Sequence, residues 1–250
     1  MLEKKHFKWI VFEGMEGAGK TTLVRNLGKY LLSHDNFKDY VIQITAEPSL
    51  DVTAEIKAGL PKEAVLFLNS GSRKKLRNLI KNSSNLSPAE RLSLFLDDRE
   101  RLLGRLKVLP KHSIVIQDRC YVSTLVYDQL YLDIDSRELM EKNQVVFNRA
   151  YNTRPDLLIY LHVSPEESVK RLQKRKKYDV LDKKALENLN DIYNNYQELF
   201  IKKDLIKLDP YLKNTAKIVT IDTTGKLKKE VLDETTQLIH PLFESVKEDI

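Results

Sequence analysis

The stretch Gly14-Met15-Glu16-Gly17-Ala18-Gly19-Lys20-Thr21 limits what this chain can fold into more than any other. It fits G-x-x-x-x-G-K-[ST], a loop whose backbone N–H groups cradle a polyphosphate. Glycine lets the backbone come close to the phosphates, with no side chain in the way. The motif needs a strand before it and a helix after it. Residues 7–12, Phe-Lys-Trp-Ile-Val-Phe, read as a buried strand, and Leu23, Leu27, Tyr30 and Leu31 recur at helical spacing. The helix start adds its dipole and its free N–H groups to the site. Gly14, Gly17, Ala18, Gly19, Lys20, Thr21 and Thr22 are therefore the expected ATP-binding residues. Lys20 would reach the β- and γ-phosphates, and the Thr21 hydroxyl would hold Mg²⁺.

The rest of the chain repeats the alternation of strand and helix. Strands are expected at residues 40–45, 113–117, 156–163 and 217–222. The third is almost wholly apolar, as a parallel strand buried on both faces should be. Ser87-Pro88-Ala89-Glu90 predicts a capped helix start, with an apolar stripe running to Leu109 before Pro110. Ser164-Pro165-Glu166-Glu167 repeats that start, and Leu186 to Phe200 read as one amphipathic helix. Residues 65–68 fit either a short strand or a helical turn, and 73–80 read as helical. The sum is an α/β, P-loop-type fold: a five-stranded parallel sheet with helices on both faces and sites at the strands' carboxyl ends. No Pro/Gly/Ser linker and no repeat interrupts it, so residues 1–250 are expected to form a single domain, with 49–70 a candidate insertion.

Composition narrows the function classes. At 42% hydrophobic and 31% charged residues, the chain can bury a large core. No apolar run reaches the roughly 18 residues a membrane span needs, and no secretory leader is visible. A lone cysteine, Cys120, fits a reducing, cytoplasmic setting. The five histidines show no metal-ligand spacing. The net charge of +6 suits anionic nucleotides. The short clusters Arg73-Lys74-Lys75 and Lys174-Arg175-Lys176-Lys177 lack the interleaved aromatics of a nucleic-acid surface, so neither nucleic acid nor membrane is an expected partner.

Asp118-Arg119 closes the third strand, where a P-loop fold places a magnesium-directed carboxylate. By itself Asp118 reads as a helix-capping residue; the phosphate loop is what turns it towards magnesium. Phe95 and Arg99 stand four apart on one helix face, where an aromatic and a guanidinium could clamp a planar base; alone they read as core and surface.

Taken together, these motifs resemble the thymidylate kinases, from about residue 7 to 245. The resemblance implies transfer of the γ-phosphate of Mg·ATP to dTMP, in a homodimer. It implies that Glu16 meets the acceptor sugar's 3′-OH, that Phe95 stacks on thymine and that Arg99 bonds a base carbonyl. It assigns Mg²⁺ to Asp118 and the acceptor phosphate to Arg119. Glu47, Pro48 and Ser123 fall in acceptor-side segments, and Tyr127 matches an aromatic that disfavours ribose. Arg171 and Arg175, followed by Asp179, resemble the family's lid, at about 171–182. Gly17 stands where some members carry arginine, which makes Arg175, with Arg171 behind it, the expected cation on the transferred group, as in bacterial members. The chain departs from the pattern at Ala46, Cys120, Asp128 and Val180. The acceptor-side departures keep two alternatives open: a related kinase for another nucleotide or nucleoside, and a nucleotide-binding module with little transfer activity.

Overall fold

The computed structural model describes residues 5–48, 52–65, 79, 85–150, 152–174 and 180–244. Five parallel strands lie in the order β2-β3-β1-β4-β5. They are β1 (Phe7–Glu13), β2 (Val41–Ala46), β3 (Ser113–Asp118), β4 (Leu157–His162) and β5 (Lys217–Asp222). The three central strands, β1, β3 and β4, are apolar on both faces because helices cover both. One hydrophobic cluster runs from Phe7 to Phe243 through Trp9, Phe12, Tyr121, Phe147 and Tyr160. This is the fold expected from the alternation of apolar segments.

The sheet order places the site. β1 is central and pairs with β3 in the register Phe12↔Asp118, while β2 pairs with β3 in the register Ala46↔Asp118. The carboxyl ends of the three strands therefore meet at one level. The chain leaves β1 for β2 over β3's position and later returns to build β4 and β5 on the opposite side. That change of direction opens the crevice in which such sheets bind ligands.

Helix α1 (Lys20–Ser33) starts directly from the glycine loop. Helix α2 (Val52–Lys57) follows β2. Helix α3 (Pro88–Leu106) has the expected capping box: Glu90 N–H donates to Ser87 Oγ at 3.2 Å, and Ser87 N–H to Glu90 Oε2 at 2.8 Å. It ends at Leu106, three residues before the expected Leu109. Val65 makes a parallel bridge to Ile44, while 66–68 and all but Leu79 of the helical reading at 73–80 lie outside the described residues.

Between β3 and β4 the chain forms two helices, α4 (Tyr121–Leu132) and α5 (Ser136–Arg149). Helix α4 is apolar around most of its circumference, so it carries no clear stripe. Helix α6 (Pro165–Gln173) begins at the predicted Ser164 cap. The single helix expected from Leu186 to Phe200 is instead broken. It appears as the end of α7 (Val180–Glu187), α8 (Leu189–Tyr196) and a π turn over Gln197–Ile201. Asn188 Nδ2 donates to Lys184 O at 2.9 Å, a side-chain bond that competes with the helix at the break. Short helices α9 (Asp204–Leu208) and α10 (Leu212–Thr215) lead to β5, and α11 (Lys228–Ile239) and α12 (Pro241–Glu244) close the described chain.

Candidate active site

The glycine loop has the backbone its sequence requires. Gly14, Gly17 and Gly19 have φ of 143°, 79° and 94°, left-handed values that glycine adopts without strain. Two of them are also sites of close approach. A Cβ on Gly14 would sit 2.5 Å from Leu161 O, and one on Gly17 would sit 3.0 Å from the Ser168 backbone. The loop is thus backed by the end of β4 and by α6. Ser168 Oγ donates to Glu16 O at 2.6 Å, which fixes the loop from behind.

Lys20 is buried and folds back onto the loop, donating to Gly14 O at 2.7 Å and Met15 O at 2.8 Å. Burial pulls its pKa down to about 7; Arg119 adds to the shift, while Asp118, Glu16 and Glu13 oppose it. The Thr21 hydroxyl donates to Asp118 Oδ2 at 2.5 Å. The other oxygen, Asp118 Oδ1, is buried with no hydrogen-bond partner. A buried carboxylate oxygen left unmatched beside a threonine hydroxyl, at the mouth of a phosphate loop, fits a hard divalent cation such as Mg²⁺. Among the described residues, no cluster of three or more His, Cys, Asp or Glu offers a metal site.

Across the crevice, Arg119 follows β3. Its amide donates to Phe12 O at 2.9 Å, so its backbone is locked to β1, and it adopts a φ of 70°, unusual for a residue with a side chain. Arg119 Nη2 meets Glu16 Oε1 at 2.7 Å. Its Nη1 meets three hydroxyls: Ser123 at 3.0 Å, Tyr127 at 3.2 Å and Tyr196 at 3.3 Å. The Tyr127 hydroxyl donates to Glu16 Oε2 at 2.6 Å. Burial by itself would lift the Glu16 carboxyl, but Arg119, Lys20 and the Tyr127 bond hold it below the usual range. Glu16 is therefore a carboxylate at neutral pH, poised as an acceptor.

A second set lies beneath the first. Arg99 is 3% exposed and pairs through Nε and Nη2 with both oxygens of Glu47. It also bonds Asn143 Oδ1 and, at 2.8 Å, Thr124 Oγ1. Burial works against the Arg99 charge, yet Glu47 outweighs it and holds the guanidinium above its usual range. Glu47 leads into Pro48 through a cis peptide bond. Phe95, one turn before Arg99 on α3, is only half-buried. Burial raises the Asp128 carboxyl to about 7, with the Arg99 charge pulling against it and Glu47 adding to it.

The structure thus places Lys20 and the Thr21–Asp118 pair beside the hydrogen-bonded set Glu16, Arg119, Ser123 and Tyr127, with Arg99 and Glu47 in a separate buried set. Thr22 lies in the first turn of α1. Arg171, expected as a cation on the transferred group, uses its donors elsewhere: Nη1 on Gly17 O at 3.1 Å, Nη2 on Thr223 O at 2.6 Å and Nε on Glu167 at 2.9 Å. It ties the phosphate loop to the loop after β5. Arg175 and Asp179 lie outside the described residues.

Sequence reasoning missed Glu13 and Tyr196. Glu13 is fully buried and accepts from Cys120 N–H at 2.7 Å, Ser123 N–H at 3.3 Å, Ser123 Oγ at 2.8 Å and Tyr196 Oη at 3.0 Å. A glutamate ending an otherwise apolar strand was the one available signal. Tyr196 gave none, since it sat within an apolar helical stripe.

A parallel sheet of this order, with a phosphate loop after β1 and a carboxylate–arginine pair after β3, defines a P-loop nucleotide kinase. Comparison with known proteins makes this specific. The thymidylate kinase family model matches residues 69–231. The thymidylate kinase of Leptospira interrogans is 30% identical over 204 residues, covering 80% of this chain and 85% of that protein. That of Desulfotalea psychrophila is 25% identical over 234 residues, covering 93% and 96%. The crystal structure of thymidylate kinase from Ehrlichia chaffeensis matches the fold with a TM-score of 0.56 at 19% identity, over 93% of this chain and 98% of that one. The chain belongs to the thymidylate kinase family. It is a nucleotide kinase with ATP and dTMP as its substrates.

Proposed function

We propose that Lys20 and the Thr21–Asp118 pair form the donor half of one phosphoryl-transfer site, and that the Glu16–Arg119 set with Arg99 and Glu47 forms its acceptor half. The observation that carries this reading is the pairing across the crevice: Thr21 with Asp118 at 2.5 Å and Glu16 with Arg119 at 2.7 Å. The donor half takes ATP. Lys20 leaves Gly14 O and Met15 O to meet the β- and γ-phosphates, whose charge restores its own. Thr21 and Asp118 would hold Mg²⁺, which when bound supplies charge neutralisation at the phosphates. Arg171 keeps the phosphate loop and the Thr223 loop together around the nucleotide.

The acceptor half takes dTMP. Arg119 holds its phosphate, Glu16 accepts from the 3′-OH, and Tyr127 packs near C2′. Phe95 stacks on the base, with Arg99 fixed by Glu47 at the pocket floor. The attacking phosphate oxygen is already ionised at neutral pH, so no general base is required. The protein's contribution is alignment and charge. Arg175, in a lid at about 171–182, supplies the cation on the transferred group, as in lid-arginine members of the family. The chain acts as a single domain, in a homodimer, in the cytoplasm. No helix among the described residues is long and apolar enough to cross a membrane.

The test is ADP release with Mg·ATP against dTMP, dCMP, dGMP and thymidine. dTMP should give the highest kcat/KM, and equal turnover with another acceptor would overturn the acceptor-half assignment. Light scattering at assay concentration should show the mass of two chains.

A further inference from the structure

Tyr196 ends helix α8 and is fully buried, and nothing derived so far uses its hydroxyl. That hydroxyl stands between two charged groups from distant parts of the chain. It donates to Glu13 Oε2 at 3.0 Å and accepts from Arg119 Nη1 at 3.3 Å. The direction is set by chemistry: a carboxylate only accepts and a guanidinium only donates. Because the phenolic proton is committed to Glu13, a lone pair is left facing Arg119. Burial, first of all, and the Glu13 charge hold the phenol well above its ordinary pKa, so it keeps this proton.

The ring is fixed as firmly as the hydroxyl. It stacks on Tyr160 of β4 with centroids 5.3 Å apart and planes at 13°, and Tyr160 stacks in turn on Phe200 at 4.8 Å and 17°. Phe200 lies in the π turn that follows Tyr196, a rare feature that re-aims side chains and recurs at functional sites. Asn195 Nδ2 donates to Val126 O at 3.1 Å, which ties α8 to α4. Glu13, for its part, caps the start of α4 through Cys120 and Ser123 and so holds the segment that carries Arg119.

We propose that Tyr196 is a positioning residue for the acceptor phosphate: the relay Glu13–Tyr196–Arg119 fixes the plane in which the guanidinium meets dTMP. A planar fork recognises phosphate well only when its orientation is set in advance. Among the described residues Arg119 Nη1 meets three hydroxyls, and of these Tyr196 is anchored by a buried parallel ring stack.

The proposal rests on the assignment of Arg119 to the acceptor phosphate, and the experiment separates the two. Steady-state kinetics are measured for the wild type, Arg119→Lys, Tyr196→Phe and Glu13→Gln, varying dTMP and ATP in turn. Tyr196→Phe removes one oxygen and keeps the stack, so the fold should hold. The expected result is a KM for dTMP raised about tenfold, the cost of losing a hydrogen bond to a charged group, with the KM for ATP unchanged. Glu13→Gln should give the same dTMP-selective change, and the double variant should fall short of the product of the two. If Arg119→Lys leaves the KM for dTMP unchanged, the assignment of Arg119 fails and the proposal with it. If Arg119→Lys raises it while Tyr196→Phe does not, or Tyr196→Phe moves both KM values equally, only the role of Tyr196 is refuted.

Discussion

Lys20 should take up a proton when ATP binds. In the folded site the lysine is buried, its hydrogen-bond partners among the described residues are the backbone carbonyls of Gly14 and Met15, and it titrates at about 7 against an ordinary 10.5. Its free form is therefore about half protonated at pH 7 and about one-tenth protonated at pH 8. Anionic phosphates beside the ammonium favour the charged form, so binding draws the missing proton from solvent. Uptake through this group should rise from about half a proton at pH 7 to about nine-tenths at pH 8. Apparent ATP affinity should fall about tenfold per pH unit above that point, about 1.4 kcal/mol each. For folding itself the sign is opposite. Between about 7 and 10.5 the unfolded chain keeps a proton that the fold has released, so this group makes stability rise with pH. Isothermal titration calorimetry in HEPES and Tris at pH 8 measures the uptake, because the observed enthalpy shifts with the ionisation enthalpy of the buffer. A zero slope, or an unchanged slope in Lys20→Met, would falsify the reasoning.

Glu47→Ala leaves the Arg99 charge buried with only Asn143 and Thr124 as partners, so it should cost about 3–5 kcal/mol, read from the urea midpoint; a loss under about 1 kcal/mol would contradict the geometry. Phe95→Ala should weaken dTMP by about 1–3 kcal/mol and leave ATP affinity nearly unchanged, and an effect on ATP alone would remove Phe95 from the acceptor pocket. Gly14→Ala places a Cβ 2.5 Å from the carbonyl of Leu161, so nucleotide binding should be lost while the circular dichroism spectrum stays native; retained ATP affinity would show that the loop can shift.

The features legible in the sequence were those carried by short segments. Strand β1, the glycine loop and α1 are contiguous, and each reads by itself. Asp118 and Arg119 were found because they end an apolar strand. The contacts that complete the site join residues far apart in the chain, and periodicity says nothing about them. Glu47 meets Arg99 across 52 positions, and Glu13 meets Tyr196 across 183. Arg171 shows the limit from the other side. A basic helix end suggested a cation facing the phosphates, whereas its donors are taken by the backbone of Gly17 and Thr223, a choice that depends on how β5 follows β4. Helix α4 was obscured by its own burial, since a helix covered nearly all round has no polar face to give a period.

The pairing of β1 with β3 in the register Phe12↔Asp118 sets more than the sheet. It puts the phosphate loop and Arg119 on adjacent rungs of one ladder, with the Arg119 amide bonded to Phe12 O. On the site proposed above, the spacing between donor and acceptor groups is thereby set by main-chain hydrogen bonds rather than by side chains. The pocket proposed for the base is built separately, on α3 and the loop after β2. The reach of the transfer and the choice of acceptor can therefore vary independently. That division allows a chain with alanine at position 46 and aspartate at 128 to change its acceptor contacts while leaving the transfer distance intact.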